Sequence, residues 1–477
     1  MLKNKTIIGI FWSFLEQVCR RGIAVFVTLL LAYFLSPQDY GLLALITLFL
    51  ALGGTLVESG FKQAIIRKSL LTDLDINTAF YSNLVLSLIA YFLIYLAAPL
   101  IASYYSEEKL VNLIRIASII IIINSFQIVQ IAVLSKKMNF KGLLKANLPA
   151  AVLSGITAVF LAYLDFGVWA LVGQMLTFST LFSILIWLQS TWRPKFCFSI
   201  TSFVEMYKYG YKLFLSSVLE VFYKNIFVLI IAKSFSVGIA GLYFFADRIK
   251  ELLITQLITS IQTVTFPALS VIQNDIDRLK VSYKKILQIM TFLVFPILLI
   301  FSALSELIFK VFLPDKWLPS VIYLQLMCLS SLIIPIISIN LNIIKVKGYS
   351  NWYLQLEIFK KVTGFMMLFI TIEYGVIAIL VGQLVSQFLN YYPSVYMSNK
   401  IVEYSLLEQL QDFMPNLFLS LIVASIIWFL QYIFIFNPLI ELLVFGCISL
   451  VLYIGIAYLI KLRSLHLALS LFNSINK

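Results

Sequence analysis

The sequence predicts an all-α integral membrane protein with about fourteen transmembrane helices, built as two parallel six-helix repeats followed by two further helices. Three observations predict this fold. First, 61% of the 477 residues are hydrophobic and only 12% are charged, whereas a soluble protein has about 25% charged residues. Second, the chain contains a series of apolar runs, and crossing a bilayer takes about 20 such residues. Third, the two halves of the chain resemble each other.

The apolar runs give the predicted spans. They are residues 7–35, 41–61, 80–103, 111–134, 147–164, 167–188, 210–235, 238–265, 287–312, 319–344, 353–372, 375–396, 414–436 and 440–460. Lysine and arginine concentrate in alternate loops, which is the positive-inside pattern and places both termini in the cytoplasm. The net charge of +13 is therefore explained by the basic residues of the cytoplasmic loops and does not indicate nucleic-acid binding. The first run is too long for a signal peptide and lacks a small-residue cleavage site, so we expect none.

The repeat appears in both apolar and charged motifs. FGVWALVGQ at 166–174 returns as YGVIAILVGQ at 374–383, and Ser36 and Gly41 match Ser236 and Gly241 at an offset of 200. Six spans separate the copies, so both copies have the same orientation in the membrane. The predicted organisation is an N-terminal lobe of residues 1–200, a C-terminal lobe of residues 201–400, and two final helices with a cytoplasmic tail in residues 401–477.

Charged residues interrupt the first span of each repeat. Glu16, Arg20 and Arg21 lie near the middle of span 7–35, where each charge costs about 2.5–3.5 kcal/mol if it faces lipid. Glu220 and Lys224 occupy the matching positions of span 210–235. Residues four apart lie on the same face of a helix, so each Glu can pair with the cation that follows it.

The repeat symmetry predicts that these two charged faces meet at a central cavity. Arg21 has no local partner in the sequence, which favours an anionic ligand over pairing within the bundle. Four more residues of the second helix of each repeat complete the predicted cavity. They are Glu58, Lys62, Asp247 and Arg248.

The motifs of common enzymes do not occur in the chain. It contains no Walker A sequence, zinc-ligand cluster or nucleophile elbow, so we expect neither ATP hydrolysis nor a bound cofactor. The four cysteines are far apart and predict neither a disulfide framework nor a metal site. The class that remains is a transporter, and its coupling ion, H⁺, Na⁺ or neither, is left open.

Several longer motifs resemble one protein family. They are LSPQDYGLLA at 35–44, VESGFKQAIIRK at 57–68, FGVWALVGQ at 166–174, WRPKFCFS at 192–199, GLYFFADRI at 241–249, FPALSVIQND at 266–275, DKWLPSV at 315–321 and SINLNIIKVKG at 338–348. Together they resemble the polysaccharide flippases of the Wzx and WzxC-like branch of the MOP exporter superfamily, over essentially the whole chain.

The resemblance implies a substrate that the residues alone do not. Such flippases move undecaprenyl-pyrophosphate-linked oligosaccharide across the bacterial plasma membrane for O-antigen, capsule or exopolysaccharide synthesis. It also implies a MATE-like fold whose first, second, seventh and eighth helices line a cavity that opens alternately to each side. The expected partners are the lipid-linked oligosaccharide, membrane lipids, and a polysaccharide polymerase and chain-length regulator.

Three alternative functions fit the sequence less well than this one. A MATE-like multidrug or metabolite antiporter would favour an acidic, aromatic cavity, whereas cations are abundant here. A membrane glycosyltransferase or polysaccharide ligase needs a sizeable outer loop with catalytic residues, and the predicted outer loops are short. A purely structural membrane protein is disfavoured by the cost of the charges within the spans.

Overall fold

The computed structural model describes residues 17, 19, 22–58, 60–68, 71–137, 139–434 and 436–475. All regular secondary structure in these residues is helical, which confirms the all-α prediction. Eleven helices of this part of the chain are long and apolar enough to cross a membrane. Together with the helices at the first, eighth and eleventh predicted spans, they account for the predicted series.

The described residues form eighteen α-helices in chain order. The first half contains α1 (Gly22–Phe34), α2 (Pro37–Glu58), α3 (Phe61–Arg67), α4 (Asp73–Tyr105), α5 (Lys109–Ala117), α6 (Ile119–Lys136), α7 (Phe140–Tyr163), α8 (Val168–Gln189) and α9 (Ile200–Ser234). The second half contains α10 (Val237–Val271), α11 (Ile276–Phe312), α12 (Ser320–Ser331), α13 (Ile334–Val346), α14 (Ser350–Thr371), α15 (Val376–Val402), α16 (Leu406–Ile433), α17 (Pro438–Leu459) and α18 (Arg463–Ile475).

Several helices differ from the predicted spans at their ends. Helix α9 begins at Ile200 instead of residue 210, and α11 begins at Ile276 instead of residue 287. Hydropathy detects only the part of a helix that fits the hydrocarbon core, so charged turns that extend beyond it were missed. The predicted span 111–134 is divided at Ser118 into α5 and α6. The short helices α3 and α18 were not predicted.

The chain divides into two compact units, Met1–Phe244 and Phe245–Lys477. In the first unit, α9 packs against α2 and α4. A buried cluster joins the short helix α3 to its neighbours, with Phe61 and Ile65 against Phe80 of α4, Val129 of α6 and Met206 of α9. The predicted lobe boundaries at residues 200 and 400 stay a prediction.

The second unit is organised around α11. Phe292 and Leu304 of this helix pack against Val423 of α16 and Phe445 of α17, and Leu465 of the tail helix α18 joins the same cluster. The phenolic oxygen of Tyr453 donates a hydrogen bond of 2.8 Å to the carbonyl oxygen of Phe292. The two helices beyond the twelve-helix repeat are therefore firmly packed on α11.

Large apolar side chains also cover much of the molecular surface. Leu100 is 73% exposed, Leu188 is 70% exposed and Phe369 is 68% exposed. A soluble protein rarely exposes so much contiguous apolar surface. The exposed apolar side chains match a surface that faces lipid.

Candidate functional site

The charged residues predicted for the first span lie outside the described residues. Glu16, Arg20 and Arg21 are in this group. Of this span, Gln17 and Cys19 are described as helical and half-buried, and α1 begins at Gly22. The charged face that the structure describes is the matching one, on α9.

A polar face runs along the middle of α9. Ser216, Glu220 and Lys224 are four residues apart and all three are exposed, so they lie on one side of the helix; we term this the α9 polar face. Further along the helix, Val228 and Ile231 follow Lys224 at helical spacing and are buried, so this side of α9 enters the packed interior beyond Lys224. Sequence reasoning identified Glu220 and Lys224, and Ser216 completes the same face.

The depth of this face in the membrane is set by the helix geometry. The apolar part of α9 spans Phe214–Ser234, and at 1.5 Å per residue Lys224 lies about 15 Å from its end. This is half of a hydrocarbon core that is about 30 Å thick. A charged group exposed at that depth is stable only where it faces water or other polar groups.

Glu58 and Lys62, also predicted for the cavity, do not share one helix. Glu58 is the last residue of α2 and Lys62 belongs to α3, and both are half-buried. The break comes from Gly60, whose φ of +76° is left-handed. A Cβ at Gly60 would lie 2.4 Å from the Cα of Gly210, so α9 can pass the turn closely only because both residues are glycines.

A lysine network, formed by Lys68, Asp75, Lys136 and Glu205, fastens this end of the first unit. The Lys68 ammonium lies 3.1 Å from an Asp75 carboxylate oxygen and 2.9 Å from one of Glu205. The Lys136 ammonium donates to the backbone carbonyl oxygens of Ile65 and Lys68. The hydrogen bond to Glu205 raises the pKa of Lys68. Partial burial lowers this pKa, and the interaction with Asp75 raises it, so that the net effect is a raised pKa.

The lysine network escaped the sequence analysis because it joins residues far apart in the chain. Lys68 and Glu205 are separated by 137 positions, and each alone resembles an ordinary loop charge. Asp75 also caps α4, since its carboxylate accepts hydrogen bonds from the Thr72 amide at 3.1 Å and the Thr72 hydroxyl at 2.9 Å. That capping box was the only available sequence signal.

We expect Asp75→Asn to destabilise the first unit. The carboxylate is buried, and losing its charge weakens the cap of α4 and its ion pair with Lys68 at a cost of ~2 kcal/mol. Thermal unfolding of the purified protein in detergent measures the effect as a lower midpoint. Asp73→Asn is the matched control, because Asp73 is exposed in the same helical turn. Equal midpoints for the two variants would contradict the role assigned to Asp75.

The other end of the first unit is formed by the start of α2 and of α10. Both helices begin after a serine: the Ser36 hydroxyl accepts from the Asp39 amide at 3.3 Å, and the Ser236 hydroxyl accepts from the Ile239 amide at 3.1 Å. Serine is a preferred residue at this position, where it satisfies one unpaired helical amide. The two helix starts are thus equivalent at the offset of 200 seen in the sequence.

The equivalent helix starts meet through two glycines. A Cβ on Gly41 would lie 1.9 Å from the carbonyl oxygen of Val237, and one on Gly241 would lie 1.7 Å from the carbonyl oxygen of Pro37. Gly41 therefore packs against the carbonyl group four residues before Gly241, and Gly241 packs against the carbonyl group four residues before Gly41. We term these two close approaches the glycine contact. Its reciprocal form is the form expected for two repeats related by a two-fold axis.

In the second unit, Asp247 and Arg248 are placed differently from each other. Asp247 is half-buried and forms an ion pair with Lys250, one turn further along α10, whereas Arg248 is exposed. Such a pair neutralises Asp247 locally. Among the residues the structure describes, no group of three or more His, Cys, Asp or Glu could hold a metal ion.

The long apolar helices of the described residues define a polytopic α-helical membrane protein. One solved structure with this fold is the lipid II flippase MurJ in an inward closed conformation, with a TM-score of 0.75 and 17% identity over 96% of this chain and 100% of that one. Another is a multidrug resistance MATE family transporter of the MOP superfamily, with a TM-score of 0.62 and 17% identity over 82% of this chain and 99% of that one.

The chain belongs to the family described as polysaccharide biosynthesis protein, whose model matches residues 30–322. It is 25% identical to the lipopolysaccharide biosynthesis protein WzxC of Escherichia coli over 70% of this chain and 68% of that protein. It is 22% identical to the teichuronic acid biosynthesis protein TuaB of Bacillus subtilis over 61% of each chain. These findings confirm the resemblance drawn from the sequence motifs.

Proposed function

We propose that the protein flips undecaprenyl-pyrophosphate-linked oligosaccharide across the bacterial plasma membrane by alternating access, for O-antigen, capsule or exopolysaccharide synthesis. The observation that carries the proposal is the α9 polar face, exposed at mid-membrane depth in a member of a polysaccharide biosynthesis family. The fold supports it, since MurJ, named as a lipid II flippase, has the same architecture.

The chemistry of the substrate explains why a charged face is needed. A pyrophosphate with its sugar chain cannot cross hydrocarbon, because each polar group without a partner costs several kcal/mol there. In the proposed mechanism, Lys224 contacts the pyrophosphate together with Arg20 and Arg21. Guanidinium groups bind phosphate oxygens in pairs, and each charge-assisted hydrogen bond is stronger than a neutral one.

The acidic residues of the proposed site act when it is empty. Glu16 and Glu220 hold the cations in place by i,i+4 pairing, which keeps the charges neutralised until the pyrophosphate displaces the carboxylates. Glu58, Lys62, Asp247 and Arg248 complete the proposed cavity. The isoprenoid tail stays in the lipid throughout, so only the polar headgroup needs a path through protein.

The proposal includes an orientation and partners. Both termini are cytoplasmic, following the loop asymmetry of lysine and arginine. A polysaccharide polymerase and a chain-length regulator receive the flipped repeat unit. Proton or sodium coupling is compatible with this scheme, and the site itself needs no cofactor.

Flipping is tested with purified protein in liposomes that contain a lipid-linked oligosaccharide. We expect the headgroups of the inner leaflet to become accessible to an impermeant glycosidase only when the protein is present. In cells that lack their own flippase, expression should restore surface polysaccharide and remove the lipid-linked intermediate that accumulates. Drug resistance without either result would instead identify a multidrug antiporter.

A further inference from the structure

One end of the second unit contains a recess that is not part of the proposed pyrophosphate site. It lies between α11, α16 and the start of α17 and has a volume of 450 Å³, within the range of about 300–1,000 Å³ typical of ligand pockets. We term it the aromatic pocket, lined by Trp428, Tyr432, Phe436, Glu306, Lys310 and Glu441.

Three aromatic rings form one wall of the aromatic pocket. Trp428 and Tyr432 are one turn apart on α16 and are 68% and 84% exposed, and Phe436 in the following loop is 54% exposed. The Phe436 ring stacks on that of Phe434 with centroids 6.2 Å apart and planes 6° apart. Aromatic rings presented this way offer broad apolar faces next to polar groups.

Polar groups form the opposite wall and the floor. Glu306 and Lys310, one turn apart near the end of α11, form an ion pair of 2.7 Å. Glu441, in the first turn of α17, is 6% exposed and accepts a hydrogen bond of 2.5 Å from the Phe436 amide. Two carboxylates and one ammonium give a formal charge of −1, which disfavours phosphate and other anionic headgroups.

Two hydrogen bonds between side chains and backbone groups hold the segments around the aromatic pocket together. The Gln431 side-chain amide donates a hydrogen bond of 3.2 Å to the carbonyl oxygen of Ala303, which fastens α16 to α11. The bond from Phe436 to Glu441 fastens the loop to α17 in the same way. The aromatic and acidic walls are therefore held at a set separation, as a preformed binding site requires.

From this combination we infer that the aromatic pocket binds a neutral or amino sugar. The C–H faces of a pyranose ring pack on aromatic rings, and its hydroxyl groups donate hydrogen bonds to carboxylates. Aromatic residues also anchor membrane proteins at the interface, but an anchor needs no acidic floor and no buried Glu441. This inference rests on the proposed function and on the proposed orientation, in which the aromatic pocket lies at the outer end of α11. There the pocket receives the oligosaccharide headgroup after flipping.

The test measures binding of a free oligosaccharide to the full-length protein in nanodiscs. The probe is the sugar chain released by mild acid from the host's lipid-linked pool, and inorganic pyrophosphate is the second probe. We expect Tyr432→Ala and Glu441→Gln each to weaken sugar binding roughly three- to tenfold, the loss expected for one ring contact or one strong hydrogen bond. Tyr458→Ala is the control, because Tyr458 is 67% exposed on α17 and lies outside the pocket.

Each outcome decides the assignment. Unchanged sugar affinity in Tyr432→Ala and Glu441→Gln, equal loss in Tyr458→Ala, or no binding by the wild type would overturn the sugar site. Pyrophosphate binding lost in the same variants would also overturn it, because the pocket would then bind anions. If Glu441→Gln unfolds, Glu306→Gln replaces it, since that side chain is 57% exposed. Flipping by the wild type is measured separately, so failure of the pocket and failure of the proposed function are distinguishable.

Discussion

Gly241→Ala is expected to reduce polysaccharide export to the level of a strain without the protein. The added methyl group would lie 1.7 Å from the carbonyl oxygen of Pro37 and 2.8 Å from the backbone nitrogen of Gly41. These atoms belong to the backbone, so no side-chain rotation relieves the overlap, and α2 and α10 must separate at this end. In the proposed alternating-access cycle, a protein that cannot make the glycine contact loses one of the two conformations.

The control for this prediction lies three residues away in the same helix. A Cβ on Gly238 would have its nearest neighbour at 3.9 Å, the Ser236 hydroxyl oxygen, so Gly238→Ala should export normally. Surface polysaccharide and the amount of protein in the membrane are measured for both variants. Normal export by Gly241→Ala would show that the glycine contact is dispensable.

The reciprocal form of the contact adds a second test. Gly41→Ala should have the same effect as Gly241→Ala, because its methyl group would lie 1.9 Å from the carbonyl oxygen of Val237. The double variant should be no worse than either single one, since one overlap already separates the helices. Interaction energies between residues in contact are measured by such double-mutant cycles.

The spans and the charged face on α9 were predictable because each depends on a local pattern. The transfer free energy of an apolar run can be calculated from its own residues, which identifies the spans. Glu220 and Lys224 are visible as charges within such a run. The repeat was visible in the same way, since Gly41 and Gly241 occupy equal positions at the offset of 200. What the sequence did not show is that these two glycines touch.

Features that depend on distant residues or on amphipathic turns were missed. The ion pair between Lys68 and Glu205 needs the fold to bring its partners together. The first ten residues of α9 and of α11 contain charged side chains and extend beyond the apolar run, so a hydropathy window excludes them. The aromatic pocket was missed because its lining joins residues that are far apart in the chain, Glu306 and Lys310 of α11 with Trp428 and Tyr432 of α16.

The last prediction concerns the cations of the proposed pyrophosphate site. Lys224→Ala should lower export while the amount of protein in the membrane stays near normal, because Lys224 is exposed and its loss leaves no cavity in a packed core. One charge-assisted hydrogen bond contributes ~1.5–3 kcal/mol, and desolvation of the lysine offsets part of it, so we expect roughly a tenfold loss of rate. Lys224→Arg should retain most of the activity, since the charge is kept.

Combining the substitutions should have a much larger effect than any one of them. The triple variant Arg20→Ala, Arg21→Ala, Lys224→Ala removes all three proposed phosphate ligands, and export should cease while lipid-linked oligosaccharide accumulates on the cytoplasmic face. Lys137→Ala is the matched control, because Lys137 is an exposed lysine in the turn after α6. Surface polysaccharide and membrane protein levels are compared in a strain without the native copy. Full export by the triple variant would reject the cationic site and leave these residues as structural charges.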